Sequence, residues 1–454
     1  MMPDTTKKRE HMNEFKEKII DSYKPLSAEL YDKYNVQRGL RHKDGTGVMA
    51  GLTAIGDVKG YVIEDGEKTP REGRLRYRGI DVRELVEGCQ REGRFGFEEV
   101  AFLLLSGFLP TRAQYDAFFA LLGEHRALPD HFTEDMIMKA PSSNIMNKLA
   151  RCVLASYSYD PNPDDTGFSN ILRQSIELIA RFPTMVAYGY QAKAHYHDGK
   201  SLYIHQPQPT LSTAENILFM TRPDNHYEHI EAEILDLAFM LHAEHGGGNN
   251  SAFATRVLSS SGTDTYSAIA AAVGSLKGPK HGGANEKVMG MIEDFKQNIT
   301  NINDEQQIRD HIVKILKKGS YDRSGLVYGM GHAIYTLSDP RQVLLKAKAR
   351  ELAEEKDMME EFMLYDLIEK NTPELFAEIK KDHKVMCANV DMYSGFVYKM
   401  LGLPPELYTP LFAVSRIVGW CAHRIEEITT NNKIMRPAYK SVVTSKPYLP
   451  IDQR

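Results

Sequence analysis

Residues 263–285, TDTYSAIAAAVGSLKGPKHGGAN, run from an alanine-rich segment through a Gly-Pro break to a histidine and a glycine pair. Apolar residues recur at helical spacing in the first part. Asp264 can cap its start by accepting a backbone N–H, while Gly278 and Pro279 end it, glycine because it tolerates a left-handed terminal conformation and proline because it cannot continue. A second helix, ANEKVMGMIEDF (284–295), is predicted directly after Gly282 and Gly283. His281 then sits in a tight joint between two helices, where glycines let another molecule approach the backbone.

The same periodicity extends outward in both directions. FEEVAFLLLSGFLP (97–110), RQSIELIARFPTMVAYGYQAKA (173–194), HIEAEILDLAFMLHAEH (229–245) and LYTPLFAVSRIVGWCAHRIEEI (407–428) carry apolar residues at i, i+3, i+4 and i+7. They are too long and too broadly apolar for strands, so they predict helices buried among helices. Residues 12–38 read as a surface helix. Residues 51–80 differ, because the β-prone pieces GYVI and RLRYRG lie between turn residues and predict a small hairpin. From 287 to 383 the chain is more polar, which suggests a separate, smaller domain, and the apolar stretch after 407 rejoins the main body.

Length and composition set the class. The 454 residues allow two or more domains with full cores, and 42% hydrophobic residues with a formal charge of −5 describe a globular protein with no bulk attraction to nucleic acid or membrane surfaces. Cys89, Cys152, Cys387 and Cys421 are far apart and fit neither a disulfide framework nor a zinc site, so a reducing cytoplasm is expected. The first twenty residues mix acids with bases and lack both a signal core and transit-peptide character.

Three histidines occupy breaker-rich contexts: His245 in LHAEHGGGNNSA, His281 in GPKHGGAN and His332 in GMGHAIYTLSDPR. One histidine beside glycines is ordinarily a satisfied surface or capping residue; three in one chain point to hydrogen-bond donors or proton relays near a ligand. His242 and His245 could share a helical face, but HExxH and HxxEH are absent, so no metal is expected, and GxxxxGK[ST] and GxGxxG are missing too. Asp391 in CANVDMYSGF reads either as a helix N-cap or as a general base. Arg341, Arg416 and Arg436 complete the set. Arg416 lies in an apolar helical stretch where an unpaired charge is costly, and several converging guanidinium groups suit a small di- or tricarboxylate.

The ordered series formed by these motifs, with GRLRYRGIDVREL (73–85), FEEVAFLLLSGFLP and STAENILFM (212–220) upstream, resembles the citrate synthase family from about residue 50 to 440. The resemblance implies a mainly α, two-domain fold: a large helical domain from residues 1–281 and 397–454, and an inserted small domain over 282–396. It implies condensation of oxaloacetate with acetyl-CoA as co-substrate, hydrolysis of the citryl thioester, a place in the tricarboxylic acid cycle, and no permanently bound cofactor.

Residue by residue, the resemblance makes Asp391 the base that takes a methyl proton from the thioester. His281 becomes the donor at the thioester oxygen, and His332 the donor at the oxaloacetate carbonyl. His245 and Asn249 hold the dicarboxylate, while Arg341, Arg416 and Arg436 neutralise it, Arg436 reaching across the interface of a homodimer. Where the family often carries a basic CoA contact four residues after the central histidine, this chain has Thr336, leaving Lys280, Lys384 or Arg323 to meet CoA. Cys387 and Ala388 stand where Tyr-Pro is common. The N-terminal fifty residues read as helix, unlike the small β module of the NADH-inhibited hexamers, so a dimer without that regulation is expected. The alternatives are a 2-methylcitrate synthase using propionyl-CoA, a non-catalytic helical scaffold, and a metal-dependent hydrolase.

Overall fold

The computed structural model describes residues 5–64, 67–382, 384–430 and 433–454. The chain divides into two compact units, residues 1–51 and 52–454. In the first, α1 (Thr5–Ser22) and α2 (Ala28–Lys33) flank an irregular stretch containing Pro25, and Ser27 caps α2 by accepting the N–H of Glu29. The single helix predicted over 12–38 is therefore broken. Proline cannot donate to a continuing helix and pushes the residue before it toward extended backbone.

The second unit opens with an antiparallel meander of β1 (Gly56–Glu64), β2 (Glu67–Tyr77) and β3 (Ile80–Asp81). It is longer than the hairpin predicted from GYVI and RLRYRG. Backbone pairing continues through polar positions such as Asp57 opposite Arg76 and Glu64 opposite Glu67, because a ladder with an exposed face does not need apolar side chains on both sides. Leu75 and Tyr77 alternate with half-buried Arg76 and bury the inner face.

Helices make up the rest: α3 (Val82–Arg91), α4 (Phe97–Ser106), α5 (Arg112–Glu124), α6 (Ile145–Ser156), α7 (Phe168–Tyr196), α8 (Thr213–Thr221), α9 (His229–His242), α10 (Asn250–Ser259) and α11 (Thr265–Lys277). They are followed by α12 (Ala284–Asn298), α13 (Glu305–Leu316), α14 (Pro340–Glu355), α15 (Met359–Lys380), α16 (Asp391–Met400) and α17 (Tyr408–Thr430). The mainly α expectation holds. Among the described residues no helix is long and apolar enough to cross a membrane.

Two helices organise the core. α17 is buried over nearly its whole length and packs against α7, α9, α10 and α11, and α16 packs against α9, α12 and α14. Asp264 caps α11 as predicted, accepting the N–H of Ser267 at 2.8 Å. Gly278 ends that helix in an extended conformation (φ −62°, ψ 137°) rather than the predicted left-handed one, since a residue before proline is driven to extended backbone. α12 begins right after Gly283, so His281 occupies the expected joint.

Candidate active site

Half-buried His281 turns its Nε2 to the Ser251 hydroxyl at 3.0 Å. That hydroxyl also receives the Trp420 Nε1–H at 3.0 Å and lies 2.9 Å from Asn249 Oδ1. Ser251 thus ties the α11–α12 joint to the first turn of α10 and the middle of α17. With Nε2 engaged, Nδ1 is the nitrogen through which His281 can meet a ligand oxygen. Burial, reinforced by the Arg416 charge, lowers the imidazole pKa to about 4, so the ring is neutral near pH 7, and its Nδ1 is a donor in the tautomer whose Nε2 accepts the Ser251 hydroxyl proton.

His332 is fixed by its own turn. Its Nδ1 accepts the backbone N–H of Ile334 at 3.0 Å and of Tyr335 at 3.1 Å, so a neutral ring carries its proton on Nε2. The ring stacks on Tyr335, centroids 4.7 Å apart, and meets His245 edge-on at 5.2 Å. His245 Nε2 lies 3.3 Å from the Tyr335 hydroxyl. Burial, then the Arg341 charge, holds His245 well below the ordinary imidazole range. Because α9 ends at His242, that residue and His245 do not share a helical face.

The two buried arginines differ. Arg341 is clamped by Asp339, with Nε and Nη2 donating to the two carboxylate oxygens at 3.0 and 2.7 Å, while Asp339 also caps α14. Arg416 is fully buried, its Nε donates to the His242 carbonyl at 2.5 Å, and both Nη1 and Nη2 are buried without a hydrogen-bond partner. Glu244 is its principal counter-charge; its Oε1 is engaged by His423 Nε2 and the Gly246 N–H, and its Oε2, like the two Nη atoms, is buried without a hydrogen-bond partner. Burial pulls the guanidinium down to about 10, still charged at neutral pH. An unsatisfied cationic fork in a protein interior fits a carboxylate ligand.

Asp391 is the first residue of α16. Val390 is the N-cap, no side chain caps the helix, and the Asp391 N–H is held by Asn389 Oδ1 at 3.0 Å. The N-cap alternative for Asp391 is thus not what the structure holds. Burial raises the carboxyl pKa to about 6, with Arg341 and Arg416 pulling down and Asp339 pushing up. A carboxylate of that basicity beside neutral imidazole donors and an open guanidinium fork can remove a proton from a carbon acid and stabilise the resulting oxyanion.

Comparison with known proteins gives the family. The family model described as citrate synthase, C-terminal domain, matches residues 43–438. The chain belongs to the citrate synthase family. A citrate synthase of Synechocystis sp. is 33% identical over 81% of this chain and 84% of its own length, and a 2-methylcitrate synthase of Shewanella oneidensis is 31% identical over 84% and 92%. The crystal structure of citrate synthase from Thermotoga maritima superposes with a TM-score of 0.71 at 30% identity, over 92% of this chain and 99% of that one. Members of the family are transferases that condense acyl-CoA.

The family resemblance nominated several residues that this single chain does not bring to the cluster. Arg436 is exposed in the stretch beyond α17, where the neighbouring Met435 N–H donates to Ser260 Oγ at 3.1 Å. Lys280, Lys384 and Arg323 are exposed, and among the described residues none has a side-chain hydrogen bond or ion pair within the site. Thr336, standing where a basic residue is usual in the family, is buried, and its hydroxyl accepts the Arg71 N–H at 3.3 Å and lies against the Gly60 carbonyl. It anchors the β1–β2 meander to the His332–Arg341 segment. Gly60 and Gly73 permit that approach, since a Cβ would fall 2.6 Å from the Ile334 carbonyl at Gly60 and 2.0 Å from the Ser338 carbonyl at Gly73.

Sequence reasoning missed Ser251, Tyr335, Trp420 and Glu244. The one available signal was spacing: the sole tryptophan, Trp420, follows Arg416 by one helical turn.

Proposed function

We propose that this protein is a citrate synthase, joining acetyl-CoA to oxaloacetate and hydrolysing the citryl-CoA formed. The observation that carries the reading is Arg416, whose two unpartnered, buried Nη groups call for a carboxylate near a carboxyl of raised pKa and the imidazoles of His281 and His245, both lowered by burial.

The chemistry follows from the groups. Asp391 takes a proton from the thioester methyl group, and His281 donates a hydrogen bond to the thioester oxygen as charge builds there. The nucleophilic carbon attacks the oxaloacetate carbonyl carbon, and the Nε2–H of His332 gives its proton to the oxygen that becomes a hydroxyl. Water then adds to the citryl thioester, and CoA leaves as the free thiol. Arg416, Arg341, His245 and Asn249 hold the dicarboxylate. The carbon–carbon bond formation and the hydrolysis are both assigned to proton transfers and positioning by these side chains, so the reading includes no metal or permanently bound cofactor.

The reading includes a homodimer in which Arg436 of one copy completes the other copy's site; its exposure supports this. It includes an inserted small domain over 282–396, CoA met by Lys280, Lys384 or Arg323, and a cytoplasmic setting without nucleic-acid or membrane partners. The Shewanella relative, almost as similar as the citrate synthases, supports a second reading in which propionyl-CoA is the acyl donor and the same residues act. One methylene in an apolar pocket is worth only about 1–3 kcal/mol, so the two substrates are to be compared directly.

The test is the initial rate of oxaloacetate-dependent thiol release from acetyl-CoA and from propionyl-CoA at matched subsaturating concentrations. Faster release from acetyl-CoA is expected. Faster release from propionyl-CoA selects the second reading, and no release from either rejects both.

A further inference from the structure

Two hydroxyls on α16 stand apart from the rest of the interior. Ser394 and Tyr398 are each 1% exposed, and neither Ser394 Oγ nor Tyr398 Oη has a hydrogen-bond partner. Other buried helical hydroxyls have partners, some in the carbonyl four residues earlier, as Ser175 has in Ile171 at 2.7 Å, Thr255 in Ser251 at 3.0 Å and Thr372 in Ile368 at 2.6 Å, and others across the core, as Thr184 has in the Arg126 carbonyl at 2.8 Å. Ser394 makes no such bond to Val390. Other buried tyrosine hydroxyls are also satisfied, Tyr77 by the Met240 carbonyl at 3.0 Å and Tyr393 by Glu369 at 2.7 Å.

Asp391, Ser394 and Tyr398 follow one another at i, i+3 and i+7, so they form one stripe along α16. Helical side chains lean toward the N-terminus, which carries the Tyr398 ring back along the stripe toward Asp391. The Asp391 charge is the second cause, after burial, that raises the Tyr398 hydroxyl pKa, and Tyr408 is the third. Tyr408 also packs on the Tyr398 ring at 5.3 Å. From the other elements around α16, the charges acting on Asp391 are Arg341 and Asp339 at the start of α14 and Arg416 on α17. None of these three supplies a partner to the two hydroxyls.

We propose that Ser394 and Tyr398 jointly bind one internal water against Asp391, and that this water donates to the carboxylate and fixes its orientation. A buried water of this kind satisfies polar groups that would otherwise be left unpaired. Ser394 and Tyr398 are then positioning residues, acting through Asp391 without touching substrate. The inference rests on Asp391 being the general base. No group is oxidised or transferred; the water holds a proton toward the carboxylate, favours its charged form and narrows its range of orientations.

The experiment uses the full chain with Tyr398→Phe and Ser394→Ala, both of which keep the packing nearly intact. In each, kcat falls about 3- to 10-fold and the acid limb of the kcat/KM pH profile moves up by about half to one pH unit, as expected for one lost neutral hydrogen bond to the base. Oxaloacetate affinity is unchanged. A crystal structure of the unsubstituted protein shows one water within hydrogen-bond distance of both hydroxyls. If both variants retain the original kcat and pH limb, or both hydroxyls are bonded to protein groups in that structure, the proposal is overturned. Asp391→Asn separates the two readings: an inactive Asp391→Asn beside unaffected Tyr398→Phe and Ser394→Ala removes only the water, whereas an active Asp391→Asn removes the base itself.

Discussion

Met330 and Ala388 face each other across an isolated antiparallel bridge, and this short pairing connects the segment bearing His332 to the one bearing Asp391. The Gly331 N–H donates to the Cys387 carbonyl at 2.7 Å, the Asn389 N–H to the Gly329 carbonyl at 2.8 Å, and Asn389 Nδ2 to the Gly331 carbonyl at 2.9 Å. The proposed proton donor and the proposed base are therefore held by one small backbone network.

Gly329 and Gly331 offer a matched pair of substitutions. Both have φ in the left-handed region, +82° and +84°, but a Cβ at Gly329 would come 3.0 Å from Met392 Cα whereas nothing lies within 4 Å at Gly331. Gly331→Ala pays the conformational cost alone, about 1 kcal/mol. Gly329→Ala adds a clash with the first turn of α16 and costs about 2–3 kcal/mol, lowering kcat more than oxaloacetate affinity. Denaturant unfolding and steady-state kinetics of the two variants check this; equal effects would contradict it.

Arg416→Met should lower stability and abolish ligand binding together. The guanidinium is fully buried with two unpartnered nitrogens, but it is also the counter-charge of buried Glu244 and the donor to the His242 carbonyl, so Arg416→Met costs the ligand-free protein about 3 kcal/mol. Thermal stabilisation by oxaloacetate is lost, since the fork that binds its carboxylate is gone. A stability loss with ligand stabilisation intact would show that Arg416 is only a structural ion-pair member.

The raised Asp391 pKa has consequences for pH. In the ligand-free folded state the carboxyl titrates near 6 against 3.8 as its ordinary value. The folded form thus binds the proton more tightly, and the contribution of Asp391 to stability is favourable below pH 4 and lost as pH rises through 6. Asp391→Asn should raise the melting temperature at pH 8, by the equivalent of about 1 kcal/mol after allowance for the group's partial exposure, and the gain should vanish near pH 4. The kcat/KM profile should show an acid limb with midpoint near 6. His281, at about 4 in the folded protein against 6.5, is neutral across that range and adds no second limb there.

Much of this site was legible in the sequence for specific reasons. His281 was readable because Gly278, Pro279 and the glycine pair punctuate two helical periods, and Arg416 because a charge interrupts an apolar stripe. The sequence leaves Asp391 open between cap and base, since spacing alone does not say where a helix begins; in the structure Val390 takes the cap. Ser251 and Trp420 were illegible. Ser251 meets His281 across 30 positions and Trp420 meets Ser251 across 169, and no local pattern encodes such pairs. The sequence predicts the β1–β2 meander as an element but not as the support of the His332–Arg341 segment, because that role depends on Thr336 meeting Gly60 across 276 positions and Ser338 meeting Gly73 across 265.

The most direct test of the central claim is oxaloacetate-dependent thiol release from acetyl-CoA by the unsubstituted protein and by Asp391→Asn, with oxaloacetate binding followed in parallel. The account predicts release by the unsubstituted protein, and binding retained with release at least about 10²-fold slower in the variant. Undiminished release by Asp391→Asn would contradict it.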